Sequence, residues 1–132
     1  MAKLNFHKST AYFQNKWVPI DKANLSIASS PVLYGLSVYT VLNAIWNPTT
    51  KALNIYRLRD HYVRLCNSAR IMDFKDFSKL YSFAEFEKII KQLLIKNQVK
   101  EDVLVRVTIY IDELIAGTKI HGLKNSMSAY VY

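Results

Sequence analysis

Residues 103–111 constrain the fold most strongly, because two kinds of side chain alternate there without a break. The odd-numbered positions hold only β-branched apolar residues, and the even-numbered positions hold Leu104, Arg106, Thr108 and Tyr110. Successive side chains of a strand point to opposite faces of the sheet. The pattern therefore predicts a strand with one face buried under another layer and one face of mixed polarity.

Further strands are predicted on both sides of this one in the sequence. Residues 11–19 are typical of a hairpin with a turn at Asn15-Lys16, since β-formers flank a turn-forming pair. Residues 37–46 and 52–57 form a second hairpin around an Asn-Pro-Thr-Thr turn. The chain closes with a last apolar strand from Met127 to Tyr132.

Two main helices are predicted between the strands. The first begins near Leu58 and carries one apolar stripe, formed by Leu58, Leu65, Ala69 and Met72. The second begins at a capping box, Ser82-Phe83-Ala84-Glu85, and ends at Asn97. Its inward residues are predicted to be Phe83, Phe86, Ile90, Leu93 and Leu94. A short helical turn is expected after Ser30 as N-cap, with Gly35 as its stop.

Strands and helices do not alternate strictly, which favours the α+β class. We expect an antiparallel sheet with the two main helices packed on one side. Because the last strand ends without a turn or a charged tail, we also expect a second domain to follow residues 1–132.

Composition excludes several classes of protein. Lys and Arg number 18 against 10 Asp and Glu, a formal net charge of +8, but the basic residues are scattered and form no nucleic-acid patch. The single cysteine, Cys66, excludes an internal disulfide and is expected to be an inert thiol. No apolar run is long enough to span a bilayer, and no apolar signal segment opens the chain. A cytoplasmic protein without a nucleic-acid or membrane partner is therefore expected.

A basic junction joins the predicted strand at 52–57 to the first helix. The sequence Arg57-Leu58-Arg59-Asp60-His61 places cations at a helix N-terminus, where unpaired N–H groups and the helix dipole favour anions. Arg64 follows one turn later, on the same helix face as His61. It is either an anion ligand or a partner of Asp60.

His61 is expected to bond to the backbone, since no second histidine stands at a metal-binding spacing. Arg106 is the other notable cation, because a charge within a strand of Val and Ile needs a partner or a polar site. It is either a pocket residue or a solvent-facing charge. Tyr39, Val41 and Asn43 are predicted to share one strand face, as a pocket wall or as ordinary core.

Three sequence motifs, taken together, resemble those of the class IV aminotransferases, a family of pyridoxal-phosphate enzymes that includes the branched-chain aminotransferases. They are Leu33-Tyr34-Gly35-Leu36-Ser37-Val38-Tyr39, the run Arg57 to Leu65, and the strand around Arg106. The resemblance implies that residues 1–132 are the N-terminal small domain of such an enzyme. It also implies that the large, lysine-bearing domain lies outside this chain.

The resemblance further implies roles for individual residues. Arg64 would contact the phosphate of pyridoxal 5′-phosphate, and Tyr39 and Arg106 would lie near the substrate. Tyr34 would reach the pocket of a neighbouring subunit, so a homodimer is expected. The substrates would be an amino acid, a branched-chain one as first choice, and a 2-oxo acid such as 2-oxoglutarate. No metal ligand and no catalytic residue is expected in this chain.

Two features depart from the family pattern. Branched-chain enzymes usually continue Phe-Glu-Gly-x-Arg where this chain has Tyr39-Thr40-Val41-Leu42-Asn43. The tyrosine that usually stands two residues before the strand arginine is Leu104 here. The resemblance places the Schiff-base lysine in the large domain, since Lys91, Lys96 and Lys119 are predicted to be solvated, and the fragment alone is therefore expected to be inactive. A D-amino-acid aminotransferase or an aminodeoxychorismate lyase of the same fold is the alternative, and a non-catalytic binding module is the alternative from another class.

Overall fold

The strands of this chain form one antiparallel sheet, seen in a computed structural model that describes residues 3–74, 77–115, 117 and 119–132. Their order across the sheet is β2-β1-β6-β5-β3-β4, and every pair of neighbours is antiparallel. The strands are β1 (Thr10–Phe13), β2 (Lys16–Pro19), β3 (Ser37–Asn47), β4 (Ala52–Ile55), β5 (Val103–Ile111) and β6 (Asn125–Val131). The predicted α+β class with an antiparallel sheet is confirmed.

The three predicted helices occur in the predicted order, and one further short helix, which was not predicted, lies between the two main ones. They are α1 (Ser30–Tyr34), α2 (Leu58–Ile71), α3 (Phe77–Leu80) and α4 (Phe83–Lys96), with short 3-10 turns at Phe6–Lys8 and Ile20–Lys22. The N-cap of α4 is the predicted serine: the Oγ of Ser82 accepts a hydrogen bond from the Glu85 N–H at 3.2 Å. Asn97 follows the last residue of α4, as the sequence predicts.

The predicted hairpin turn and the predicted N-cap of α1 are each wrong by one residue, and the strands predicted at 52–57 and 127–132 instead span Ala52–Ile55 and Asn125–Val131. Gln14 and Asn15, with φ of 49° and 61°, form the turn of the first hairpin, whereas Lys16 belongs to β2. A two-residue hairpin turn of this kind needs both central residues in the left-handed region, which asparagine tolerates well. Ser29 precedes α1, so Ser30 is its first residue and not its N-cap, while Gly35 ends it at φ 65°.

The core lies between α2, α4 and one face of the sheet. The alternating residues of β5 that were predicted to point inward are all buried, and Leu65 of α2 and Phe86 of α4 are fully buried above them. On β3 the same face is formed by Thr40, Leu42 and Ala44. Burial of a whole strand face under two amphipathic helices supplies the main stabilisation of such a layer.

The second face of the sheet is covered only in part. Near one end of β5, Phe13 stacks on Tyr110 at 6.1 Å between ring centroids, and segment 20–32 folds over this region. Further along the same face, Tyr39 and Arg106 remain partly exposed to solvent. One face of the sheet is thus a closed core, and the other carries an accessible polar and aromatic surface.

Replacing Leu65 with alanine tests the position of α2 on the sheet. Leu65 is fully buried, whereas Ile71 of the same helix is 76% exposed. We expect Leu65→Ala to lower the free energy of unfolding by about 2 to 5 kcal/mol, because it leaves a cavity. Ile71→Ala should change it by less than about 0.5 kcal/mol. Urea denaturation of both variants measures this, and equal losses would contradict the arrangement.

Candidate functional site

The candidate site lies at an edge of the sheet where β3 continues beyond its neighbour. β5 pairs with residues 37–44 of β3, but β4 pairs only with residues 44–47. Among the described strands, none lies beside residues 37–43 on that outer edge. The N-terminal half of α2 occupies this place and brings its polar side chains to the strand edge.

Arg64 reaches the strand edge with its guanidinium. Its Nη2 donates a hydrogen bond to the Oγ1 of Thr40 at 2.7 Å and a longer one to the carbonyl oxygen of Tyr39 at 3.5 Å. Asp60, the alternative partner considered from the sequence, instead accepts from the Nε of Arg57 at 2.6 Å. Arg64 is therefore held by neutral groups of β3, and no ion pair with Asp60 is found among the described residues.

Thr40 also contacts His61, whose Nδ1 lies 2.8 Å from the Thr40 Oγ1. The expectation of a backbone partner for His61 is wrong, because a buried strand hydroxyl lies within reach of its ring. Burial of the ring, and then the charges of Arg64 and Arg57, lower the pKa of His61. A neutral ring with Nδ1 as the acceptor lets the Thr40 hydroxyl donate to His61 while it accepts from Arg64.

A cavity of about 280 Å³ lies beside this group, lined by Tyr56, Arg57, Asp60, His61 and Arg64. When His61 is neutral, the cavity has three charged groups, namely the guanidinium groups of Arg57 and Arg64 and the carboxylate of Asp60. Its net charge is then +1. The helix amides contribute less than the sequence suggests, because the Arg57 carbonyl already accepts from the N–H groups of Asp60 and His61. The cavity is nevertheless polar and positively charged.

Arg59 takes no part in this cavity. Its guanidinium lies 4.1 Å from the centroid of the Phe83 ring, a cation–π contact between α2 and α4.

Arg106 and Tyr39 contact each other on the other face of the sheet. The Arg106 guanidinium carbon lies 3.9 Å from the centroid of the Tyr39 ring. Arg106 is half-buried and Tyr39 is 50% exposed, so the cation is neither buried nor free in solvent. Stacking on an aromatic ring accounts for a cation in the middle of β5.

Val41 and Asn43 extend this second face along β3, as the period of the strand requires. Thr40, and with it Arg64, lies on the opposite face, although Tyr39 and Thr40 are consecutive. The sequence candidates therefore form two groups on either side of one strand. Tyr34 belongs to neither, because it ends α1 and is 46% exposed.

Cys66 shows the properties of an unreactive thiol. It is a free, half-buried cysteine, and burial raises its pKa. The neighbouring Tyr62 donates a hydrogen bond to the carbonyl oxygen of Tyr81 at 2.7 Å, and burial raises the pKa of Tyr62 to about 12. Both groups support the core rather than chemistry.

The three lysines singled out in the sequence are all exposed, namely Lys91, Lys96 and Lys119. Lys91 pairs with Glu87 at 3.0 Å on the outer side of α4. Within the described ranges, no group of three or more His, Cys, Asp or Glu side chains is placed to hold a metal ion. Those same ranges include no helix long and apolar enough to cross a membrane.

The sequence does not predict that Thr40 contacts Arg64 and His61, and Thr40 is noted there only as a difference from the family motif. A signal was available, because Thr40 stands among apolar residues on the buried face of β3. A buried hydroxyl is almost always hydrogen-bonded. Its partners, however, come from a helix about 20 residues later, and their register cannot be read from local periodicity.

Comparison with known proteins places this fold in a defined group, although no family model matches the chain. A protein of Aquifex aeolicus named as a probable branched-chain-amino-acid aminotransferase is 31% identical over 129 residues. The chain is similar in sequence to branched-chain aminotransferases, which have the class IV fold. That alignment covers 97% of the chain but 40% of the Aquifex protein, so the chain spans about 40% of the length of this curated relative.

Solved structures of branched-chain aminotransferases have the same fold. The enzyme of Thermoproteus uzoniensis, solved with norvaline, superposes with a TM-score of 0.83 at 27% identity, over 94% of this chain and 40% of its own. The Thermobaculum terrenum enzyme, solved in its pyridoxal-phosphate form, gives a TM-score of 0.81 at 17% identity, over 96% and 40%. The sheet and helices described above match the N-terminal domain of these structures.

Titration of His61 gives a pH test of this geometry. Because the pKa of His61 is lowered in the folded chain, the unfolded chain binds a proton at His61 more readily than the folded chain does. The contribution of neutral His61 to stability is therefore present above pH 6.5 and is lost as the pH falls. We expect the free energy of unfolding to drop between pH 7.5 and pH 5.5, and to drop less in His61→Gln. Urea denaturation at both pH values measures this.

The matched control for that experiment is His7→Gln, because His7 lies outside the cavity. It should keep the wild-type drop in stability. A drop that is unchanged by His61→Gln would contradict the buried, cation-facing environment of His61.

Proposed function

We propose that this chain forms one side of the active site of a pyridoxal-phosphate-dependent aminotransferase, acting on branched-chain amino acids and 2-oxo acids such as 2-oxoglutarate. In this proposal residues 1–132 are the N-terminal small domain of the enzyme. The observation that carries it is Arg64, whose guanidinium is fixed by β3 beside a positively charged cavity. The relationship to branched-chain aminotransferases supports the reaction class.

The cavity beside Arg64 fits the phosphate group of the cofactor. Its volume of about 280 Å³ is several times the roughly 30 Å³ that a water molecule occupies in the liquid. Guanidinium groups bind phosphate oxygens through forked, charge-assisted hydrogen bonds. Arg64 would hold the phosphate while Thr40 fixes the guanidinium, and Arg57 would add charge. When bound, pyridoxal phosphate supplies an electron sink for the substrate Cα.

The face that carries Tyr39 and Arg106 would border the substrate. Tyr39 and Val41 present apolar surface, which suits an aliphatic side chain. Arg106, stacked on Tyr39, would supply a positive charge for a carboxylate. β3 would thus separate the phosphate region from the substrate region, with one group of residues on each of its faces.

The rest of the active site would come from elsewhere. The exposed lysines of this chain lack the desolvation that a lysine nucleophile needs, so no catalytic residue is assigned here. We propose that a lysine-bearing large domain supplies it and that this chain alone is inactive. Tyr34, exposed at the end of α1, would face a neighbouring protomer in a homodimer. A cytoplasmic location goes with this proposal.

Neither alternative enzyme is favoured by a particular observation. The relatives reported above carry the branched-chain name, and the aliphatic side of the Tyr39 face agrees with it. The non-catalytic alternative gains no support from the charge, since the cavity around Arg64 holds a net +1 of the +8 on the chain.

Binding of 4′-deoxypyridoxine 5′-phosphate tests the proposal, because this compound keeps the phosphate but has no aldehyde to react with surface lysines. We expect chemical-shift changes at residues 56–64 in NMR titrations of the chain. Arg64→Gln should weaken binding at least about tenfold, since it removes a charge-assisted hydrogen bond. Arg70→Gln, an exposed arginine of the same helix, is the matched control and should bind as the wild type.

Equal affinity of the wild type and Arg64→Gln would refute the phosphate site. Weak binding spread over lysines across the surface would refute it as well.

A further inference from the structure

We propose that Thr40 is a positioning residue that joins Arg64 and His61 into one anion-binding unit, with the Nε2–H of His61 as a second donor to the phosphate. This inference rests on the proposed function, because it takes Arg64 as the phosphate ligand. It goes beyond it by adding a donor and by giving Thr40 a defined task.

The geometry of Thr40 carries the first step. Its side chain is fully buried, and its Oγ1 lies within 2.7 Å of Arg64 Nη2 and 2.8 Å of His61 Nδ1. A hydroxyl has one proton to donate and two lone pairs to accept with. A guanidinium only donates, so the Thr40 oxygen must accept from Arg64. Because Thr40 Oγ1 has no other acceptor within hydrogen-bond distance among the described residues, its single proton is directed to His61 Nδ1.

The second step follows from the tautomer of His61. If Nδ1 accepts the proton of Thr40, the ring proton of the neutral imidazole is on Nε2. His61 and Arg64 both line the cavity, and Nε2 has no protein partner among the described residues. The hydrogen bonds from Arg64 to Thr40 and from Thr40 to His61 therefore leave Nε2 as a donor without a protein partner among the described residues, on a ring that lines the same cavity as Arg64.

The third step concerns charge. The resemblance places an acidic residue at the position of Thr40, and a carboxylate there would neutralise one of the two guanidinium charges. A hydroxyl orients Arg64 without cancelling its charge. The cavity keeps its net positive charge, with Asp60 already engaged by Arg57. A neutral anchor should thus favour a dianionic ligand.

Variants of Thr40 test the unit directly. Thr40→Val keeps the shape of the side chain and removes the hydroxyl, and Thr40→Ser restores the hydroxyl. Thr10→Val is the control, since Thr10 lies on β1, three strands away from β3 in the sheet order. The probes are inorganic phosphate and 4′-deoxypyridoxine 5′-phosphate. Affinity comes from NMR titration, and the tautomer of His61 comes from long-range ¹H–¹⁵N spectra.

We expect the wild-type His61 to carry its proton on Nε2, and this nitrogen to shift on addition of either probe. Thr40→Val should weaken the affinity for both about tenfold, as expected for one lost charge-assisted hydrogen bond. It should also give a mixture of tautomers. Thr40→Ser should restore both properties, and Thr10→Val should change neither. A shift of Nε2 with the pyridoxine phosphate alone would still support the unit, and would identify the cofactor rather than free phosphate as its ligand.

If Nδ1 of His61 carries the proton in the wild type, this result alone overturns the inference. Unchanged affinity in Thr40→Val, with weakened binding in Arg64→Gln, would also overturn it while leaving the proposed function intact. No effect of Arg64→Gln would remove both. Circular dichroism of each variant confirms that the fold is retained.

Discussion

Packing of α2 on β3 is the interaction on which the rest of the site depends. Leu65 is fully buried between helix and sheet, and it fixes the rotation of the helix about its own axis. The neighbouring Arg64 must then point to the edge of β3, where the Thr40 hydroxyl holds it. A long cation near a core can be kept in one place only if its stem and its head are both constrained. Here an apolar neighbour sets its direction and a strand hydroxyl sets its end point.

Much of the fold could be predicted because local patterns were unbroken. The strand at 103–111 has the predicted bounds, since its alternation runs from one end to the other. The capping box at Ser82 placed the start of α4 for a similar reason. Errors arose where neighbouring residues compete for one role. Gln14 and Lys16 flank Asn15 and differ little as turn residues, so the sequence does not show which of them joins Asn15 in the turn.

The site was predictable in composition but not in arrangement. Arg64 and Arg106 were recognised from their unusual positions, and the alternation of β3 correctly grouped Tyr39 with Val41. The link between Arg64, Thr40 and His61 was not predictable, because it depends on how α2 is placed over β3. Tertiary register of this kind is set by packing across the whole core and leaves no trace in a short window of sequence.

Thr40, Val41 and Asn43, the three differences from the family motif at residues 39–43, lie on two faces of β3. Thr40 points to the helices, whereas Val41 and Asn43 point to the accessible face. A change at Thr40 therefore concerns the anchoring of a cation, and a change at the other two concerns the shape of an open surface. Because the faces are separate, the anchoring of Arg64 and the shape of the open surface can change independently of each other.

The outer edge of β3 is a place where a strand of another molecule could pair with this sheet in solution. Residues 37–42 present backbone groups on a side where the described strands leave them without a neighbour, whereas the Asn43 carbonyl oxygen accepts from the Tyr56 N–H at 2.9 Å. Bare edges of this kind recruit strands from other molecules and start aggregates. Arg64 covers the Tyr39 carbonyl, and the bulk of α2 stands in the path of an incoming strand. The same guanidinium thereby occupies a backbone acceptor that an added strand would need.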